Sequence, residues 1–370
     1  MRQPSVAGLA RRARANPAYQ RTAELADGIV DSGPWAPDID LVAEQLAAGT
    51  RSAREVADWR VGRLHQLRLA YQEARAGRGQ WPAELAELRT GLESDGVHVW
   101  RGLVGPDELA AMQAEMDAFV ARIEADHLVA TRYQSREGLW PEDAAVVSND
   151  AFAWSPELVA MAGGPPLLEI AEGYLGPGPV VQRAQAMRYQ PHQPSDRHQF
   201  RWHHDLEGRR LKAMVLLTDV GSGDQPMTYV AGSHRRRHSI HRYHDNRLRL
   251  GYAERYTRHV EPRLLTGVAG DVIFFDSNGL HRGTRRPTGA VRDVLVIEYA
   301  APGSPLMGGR PVPDAVHGLS DDGQAAFATM LATEPVWERT VDRGGWLDQL
   351  IDVESWAVPV QTSSSTTSTP

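Results

Sequence analysis

The 370-residue chain contains no cysteine. Disulfides and thiolate ligands are therefore excluded, and any metal site must be built from nitrogen and oxygen donors. Lysine is almost absent as well: of forty Lys and Arg residues only Lys212 is lysine, a bias of the kind a GC-rich genome imposes. No apolar run reaches the roughly 18 residues that a membrane-spanning helix needs. The first residues, Met1–Tyr19, mix Arg, Ala and polar side chains and lack the apolar stretch of a secretory signal. A soluble cytoplasmic protein is the expectation. An excess of positive charge is missing too. The net charge of −7 argues against a general nucleic-acid binder.

The length allows one large domain or two small ones, and no internal repeat is visible. The N-terminal region, residues 1–90, is expected to be a helical extension. Ser52 can cap a helix in which Ala53, Ala57, Val61, Leu64, Leu67, Tyr71 and Ala74 recur at helical spacing. A second helix is expected from near Pro82 to Ser94, then a strand at Val97–Trp100. Pro106-Asp107-Glu108 opens another helix, with Leu109, Met112, Met116, Phe119 and Val120 on one face. From about Val180 the pattern changes to short β-rich runs divided by Gly, Pro and Asp. Strands are predicted at Val180–Tyr189, Gln199–His203, Ala213–Leu217, Met227–Val230, Arg263–Thr266, Val272–Phe275 and Val291–Tyr299. Such a series suggests a sandwich or jelly roll. Helix returns at Asp321–Ala332 and Gly345–Ile351. The main domain is expected over residues 91–360, and the Ser/Thr-rich residues 361–370 read as a disordered tail.

The chemistry centres on Arg201-Trp202-His203-His204-Asp205. On a strand, His203 and Asp205 point to one face and His204 to the other. An imidazole and a carboxylate aimed into a barrel form two thirds of a metal-binding facial triad. Alone, the triplet does not distinguish a metal site from a simple His–Asp ion pair. A third ligand should stand on a later strand. His281 follows the turn and apolar strand Gly270–Asp276 and is a candidate, although a core histidine satisfied by a carbonyl reads the same way. Eleven residues further, Arg292 begins an apolar strand. A buried cation there has a purpose if a dicarboxylate is bound, because a guanidinium fork holds a carboxylate through two bonds.

With these motifs in place, Leu92 to Tyr299 resembles the phytanoyl-CoA dioxygenase-like family of Fe(II)/2-oxoglutarate oxygenases. Glu93-Ser94-Asp95-Gly96-Val97-His98-Val99-Trp100 resembles the family's opening strand. Trp202-His203-His204-Asp205 resembles its first metal motif. Met227-Thr228-Tyr229-Val230-Ala231-Gly232-Ser233-His234 resembles its Pro-Gly-Ser-His segment, with Ala231 in the proline's place. Ala269–Asp276, His281-Arg282-Gly283-Thr284 and Arg292 match the distal half. The resemblance implies a mainly β core, a double-stranded β-helix of the cupin-like jelly-roll type, with N- and C-terminal helices packed outside. It implies Fe(II) on His203, Asp205 and His281, which are also the catalytic residues, with O2 and 2-oxoglutarate as cosubstrates. Arg292 would hold the far carboxylate and Gln185 would contact the cosubstrate. The family's hydroxyl residue two places after the distal histidine is Gly283 here, so Thr284 is the nearest candidate. Its lysine after the first core strand is replaced by Tyr189 or Gln190. Related halogenases carry a small residue where Asp205 stands, so hydroxylation is the expected outcome. Desaturation, cyclisation and epimerisation use the same oxidant.

Residues 232–263 contain nine arginines, five histidines and three acidic residues. This is either a solvated loop or a recognition surface for an anionic small molecule, with Arg209, Arg210 and Arg235 as candidate substrate contacts. A separate metal site on His234, His238, His241 and His244 lacks a supporting carboxylate at familiar spacing. A metal-binding cupin-like isomerase or binding protein would explain the histidines and Asp205 but not Arg292. The expected partner is a small-molecule substrate rather than nucleic acid or a membrane.

Overall fold

A computed structural model describes residues 79–128, 137–140, 145–191, 202–205, 210–235, 240–242, 247–248, 257, 260–284, 290–301 and 311–332. The helix expected after Ser52, the start of the strand expected at Gln199–His203, Arg209, much of the arginine-rich segment, the helix expected at Gly345–Ile351 and the tail lie outside the described residues.

The chain enters through a 3-10 turn at Ala83–Leu85 and helix α1 (Ala86–Ser94), then β1 (Val97–Trp100) and α2 (Pro106–Ala125). Helix α2 starts where local chemistry dictates. Gly105 is extended, Pro106 takes the first turn, and Asp107 and Glu108 face the positive end of the helix. Its buried stripe is Met112, Met116, Phe119, Val120 and Ile123, each worth roughly 1.5–3 kcal/mol on full burial. Strands β2 (Glu137–Trp140) and β3 (Ala145–Ser148) follow. Next come α3 (Pro156–Gly163), whose first turn is capped by the Ser155 hydroxyl accepting from the Leu158 N–H, and α4 (Leu167–Leu175). Then come β4 (Val180–Tyr189), β5 (Arg210–Leu216), β6 (Met227–Tyr229), β7 (Ile240–Arg242), β8 (Arg247–Leu248), β9 (Arg263–Leu265), β10 (Val272–Asp276), β11 (His281–Gly283) and β12 (Arg292–Ala300). Helices α5 (Pro313–His317) and α6 (Asp321–Ala332) close the described chain.

Seven strands form an antiparallel sheet in the order β1-β10-β5-β12-β4-β3-β2. A smaller antiparallel sheet runs β11-β6-β9, with β7 and β8 paired beside it. The fold is thus mixed α/β with antiparallel sheets. Side chains alternate across the large sheet. Leu211, Ala213, Val215, Leu295, Ile297 and Tyr299 face a core shared with the helices. Met214, Leu216, Ile273, Phe275, Val294 and Val296 face a second core shared with Met227, Tyr229 and Leu265 of the small sheet. With both faces covered, β12 is buried at all nine positions, which explains its nearly continuous apolar run. Leu85, Leu88 and Leu92 also enter the helix-side core, so the segment around α1 is part of the packed body.

The inner face carries charge as well. Lys212 on β5 is the Cα partner of Glu298 on β12, and Arg183 on β4 stands on the other side of Glu298. The Glu298 carboxylate is bonded by Arg210, lies 2.9 Å from Arg183 Nε and lies 3.7 Å from Lys212 Nζ. Burial alone would raise its pKa, but Arg210, Lys212 and Arg183 hold it far below the usual carboxylate range.

Two expectations need correction. The β-rich part is not confined to Val97–Trp100 and the stretch from Val180, because β2 and β3 lie between them and extend the large sheet beyond β4. β5 starts at Arg210 rather than Ala213, because pairing with β12 continues through Lys212 to Ala300↔Arg210. None of the described helices is long and apolar enough to cross a membrane.

Candidate metal centre

His203 and His281 lie 78 positions apart in the chain and meet as an isolated antiparallel bridge. The His203 N–H donates to the His281 carbonyl at 3.1 Å, and the His281 N–H donates back at 3.0 Å. Such a pair sets both side chains on one face, and the rings stand 4.3 Å apart, centre to centre. Two residues on, the Asp205 N–H donates to the Ser277 carbonyl at 2.8 Å. Alternation then returns the Asp205 carboxylate to the histidine side. One donor atom from each of His203, Asp205 and His281 lies within 4.8 Å of the others, the only such group among the described residues. His204 is outside the group. It is buried, with Nδ1 3.1 Å from the Asp205 carbonyl.

The His281 tautomer follows from its contacts. Nδ1 lies 2.8 Å from the Gly279 carbonyl, which can only accept, so Nδ1 carries the proton and Nε2 keeps its lone pair. Burial lowers the His281 pKa, against an opposing pull from Asp205, and favours the neutral ring a metal requires. Burial would raise the Asp205 pKa. The Lys212 ammonium, 2.7 Å from Oδ2, and the two imidazoles instead hold it well below the ordinary range.

The turn before His281 is locked from several sides. Asp276 Oδ1 accepts from the Asn278 N–H and Nδ2, and Oδ2 accepts from the Tyr174 hydroxyl of α4 at 2.6 Å. The Leu280 N–H donates to Ser233 Oγ at 2.7 Å, and Ser233 Oγ–H donates to the Val230 carbonyl. The Gly-Ser-His segment therefore braces the turn that presents His281. Gly279 has no room for a side chain, since an added Cβ would lie 1.8 Å from the Tyr229 hydroxyl oxygen. Gly279→Ala must push Tyr229 or the turn aside. The expected result is a fall in metal affinity of about 10–100-fold, the usual cost of disturbing a ligand's support, with a lower melting temperature. Titration with Fe(II) under anaerobic conditions checks it.

Arg292, the first residue of β12, is buried. Its Nη1 donates to the Gln225 carbonyl at 2.7 Å, Nη2 lies 3.5 Å from Met214 Sδ, and the guanidinium sits 5.3 Å from the centre of the Tyr189 ring. Nε has no hydrogen-bond partner among the described residues, and none of their carboxylates pairs with this cation. The Thr284 hydroxyl donates to the Pro226 carbonyl, next along the chain from the Gln225 carbonyl that Arg292 uses. Gln185 lies on the inner face opposite Val296, with Nε2 2.8 Å from Asn149 Oδ1.

The candidate substrate contacts separate. Arg210 is buried and ion-paired to Glu298, so its charge is matched inside the protein. Arg235 is exposed and donates to the Glu93 carbonyl at 3.0 Å. Arg282, ten residues before Arg292, stacks over Trp202 at 4.3 Å. Sequence reasoning missed Lys212, Ser233 and Tyr174. For Lys212 a signal existed: a lone ammonium inside an otherwise apolar strand.

The family model described as Phytanoyl-CoA dioxygenase (PhyH) matches residues 92–294. A curated relative, the ectoine dioxygenase of Stutzerimonas stutzeri (strain A1501), is 28% identical, over 58% of this chain and 76% of its own length. The crystal structure of EctD from S. alaskensis with 2-oxoglutarate and 5-hydroxyectoine superposes with a TM-score of 0.51 at 22% identity, covering 64% of this chain and 86% of that one. The epimerase SnoN, in complex with Fe3+, alpha ketoglutarate and nogalamycin RO, gives 0.48 at 20% identity over 62% and 87%.

Proposed function

The chain belongs to the phytanoyl-CoA dioxygenase family, and on that premise we propose that it hydroxylates a small molecule, with iron on His203, Asp205 and His281 and 2-oxoglutarate on Arg292. It is an Fe(II)- and 2-oxoglutarate-dependent oxygenase of that family. The observation that carries the site assignment is the convergence of the three donor atoms to within 4.8 Å. Two imidazole nitrogens and one carboxylate oxygen form the donor set that suits Fe(II) and leaves positions open for cosubstrates. The protonation states agree with it, since Asp205 is held ionised and His281 neutral. The buried, unpartnered Arg292 Nε fits a carboxylate ligand in the same way. In this reading the large and small sheets are the two faces of a double-stranded β-helix, with the metal at its mouth.

Bound iron, with 2-oxoglutarate and O2, supplies an oxidant able to take hydrogen from an unactivated C–H bond while 2-oxoglutarate becomes succinate and CO2. The chain's own work is positioning. The His203–His281 bridge fixes two imidazoles side by side, and the Gly279 carbonyl sets the His281 tautomer. The Arg292 fork takes the far carboxylate, with the Thr284 hydroxyl beside it. Gln185, Met214 and Val296 occupy the inner face between that end and the charged row at Glu298. Hydroxylation is favoured by the carboxylate at Asp205 and by the dioxygenase named among the sequence relatives. An anionic substrate would meet Arg209 or Arg235, since Arg210 is committed to Glu298.

The test is consumption of 2-oxoglutarate. Protein reconstituted with Fe(II) and given O2 should convert it to succinate slowly without substrate and faster with one. A protein that binds iron yet forms no succinate under any substrate would be a non-oxidative metal-binding cupin instead.

A further inference from the structure

Lys212 stands against the one carboxylate of the candidate metal centre. Its ammonium lies 2.7 Å from Asp205 Oδ2, a close ion pair whose angles are not those of a hydrogen bond. The lysine is itself held. It is buried in the central part of the large sheet, paired in register with Glu298, and Glu298 is anchored by Arg183 and Arg210. A chain of charges therefore runs from the middle of the sheet to the metal segment. Asp205 belongs to neither sheet; its backbone is tied by the bond to Ser277, and its carboxylate is met by Lys212.

Resting on the assignment of His203, Asp205 and His281 as iron ligands, we propose that Lys212 is a positioning residue that makes Asp205 a one-oxygen ligand. A carboxylate can offer a metal one oxygen or both. The cosubstrate and O2 need the positions that three protein donor atoms leave open, and a second Asp205 oxygen would take one of them. An ammonium on Oδ2 withholds that oxygen and turns the other toward the histidines. The identity of the side chain matters. A guanidinium fork spans both oxygens of a carboxylate, whereas an ammonium is a compact point donor. This chain uses arginine at 39 of its 40 basic positions and lysine only here. Lysine is the cation that leaves one oxygen free.

The full-length protein tests this without relying on any variant. Crystals of the wild type loaded with Mn(II) should show Asp205 bound through one oxygen with Lys212 Nζ on the other; both oxygens on the metal would overturn the proposal. In solution, Lys212→Met should still bind Fe(II) anaerobically but bind 2-oxoglutarate about 10–100-fold more weakly, judged from the visible charge-transfer absorbance. Lys212→Arg should lose metal affinity itself by about 10–100-fold, because the fork competes for both oxygens. Melting temperatures of the metal-free variants report on folding separately. If the wild type binds metal and cosubstrate and both folded variants match it within about twofold, where support for a ligand normally costs tenfold or more, the role of Lys212 is refuted and the ligand assignment stands. If the wild type binds no metal, the ligand assignment falls and the role of Lys212 with it.

Discussion

Replacing Arg292 with alanine is expected to weaken 2-oxoglutarate binding by about 30-fold to several thousand-fold while leaving iron content normal. The range follows from truncating one member of a charge-assisted pair in a desolvated place, which commonly costs about 2–5 kcal/mol. Arg292 is suited to such a pair. It is buried, the Met214 thioether and the Tyr189 ring lie against its guanidinium, and Nε has no acceptor among the described residues. One N–H is already committed to the Gln225 carbonyl, which fixes the fork before any ligand arrives. Arg292→Lys should recover only part of the affinity, since an ammonium keeps the charge and loses the second bond. Anaerobic titration of 2-oxoglutarate into the Fe(II) protein, followed by charge-transfer absorbance, gives the number. Alanine variants of Arg282, Arg285 and Arg286 are the controls. Arg282 is stacked on Trp202 and should behave nearly as wild type. Wild-type affinity in Arg292→Ala would remove the assignment of the cosubstrate to this residue.

The largest effect is expected at the ligands themselves. His203→Ala, Asp205→Ala and His281→Ala should each lose stoichiometric iron and fall to background turnover, because two remaining donors cannot hold the metal against solvent. The three variants should differ in stability. Asp205→Ala leaves the buried Lys212 ammonium, among the described residues, with Glu298 3.7 Å away as its one anion, and should melt lowest when metal-free. His204→Ala should keep its iron. Its ring lies outside the donor group, although it is buried, so some stability is lost with it. Metal content after anaerobic reconstitution and thermal melting measure both effects. A greater loss of iron in His204→Ala than in His203→Ala would mean that the strand faces the opposite way.

Residue spacing placed His203 and Asp205 on one face because strand geometry has a period of two, but the ligand set itself came from the family resemblance. His203 and Asp205 had to share a face once the segment was extended, and the structure brings His281 beside them. The apolar run Val294–Tyr299 marked a strand, and the structure adds that β12 is buried throughout, covered on both faces. The strand at Val180–Tyr189 and the helix at Asp321–Ala332 were placed at their observed bounds. What escaped was structure set by partners distant in sequence. β2 and β3 are four residues each and carry no clear alternation; β3 is a strand because β4 offers an edge, and β2 because β3 offers the next one. The partner of Lys212 depends on the β5–β12 register and on where residues 202–205 return, and neither is written in the local pattern. The Ser233 brace is similar: its acceptor role for the Leu280 N–H joins residues 47 positions apart.

The order of strands in the large sheet also governs how the protein can be made. β12 lies between β5 and β4 and pairs with both, yet it is the last strand of that sheet to leave the ribosome. Until residue 300 has emerged, β4 and β5 each present an open edge, and the two halves of the sheet have nothing to join them. Nascent chains therefore pass through a stage with two unpaired strand edges, the condition in which wrong pairing between chains competes with folding. The keystone of the large sheet is thus the last of its strands to be made, after both of its neighbours.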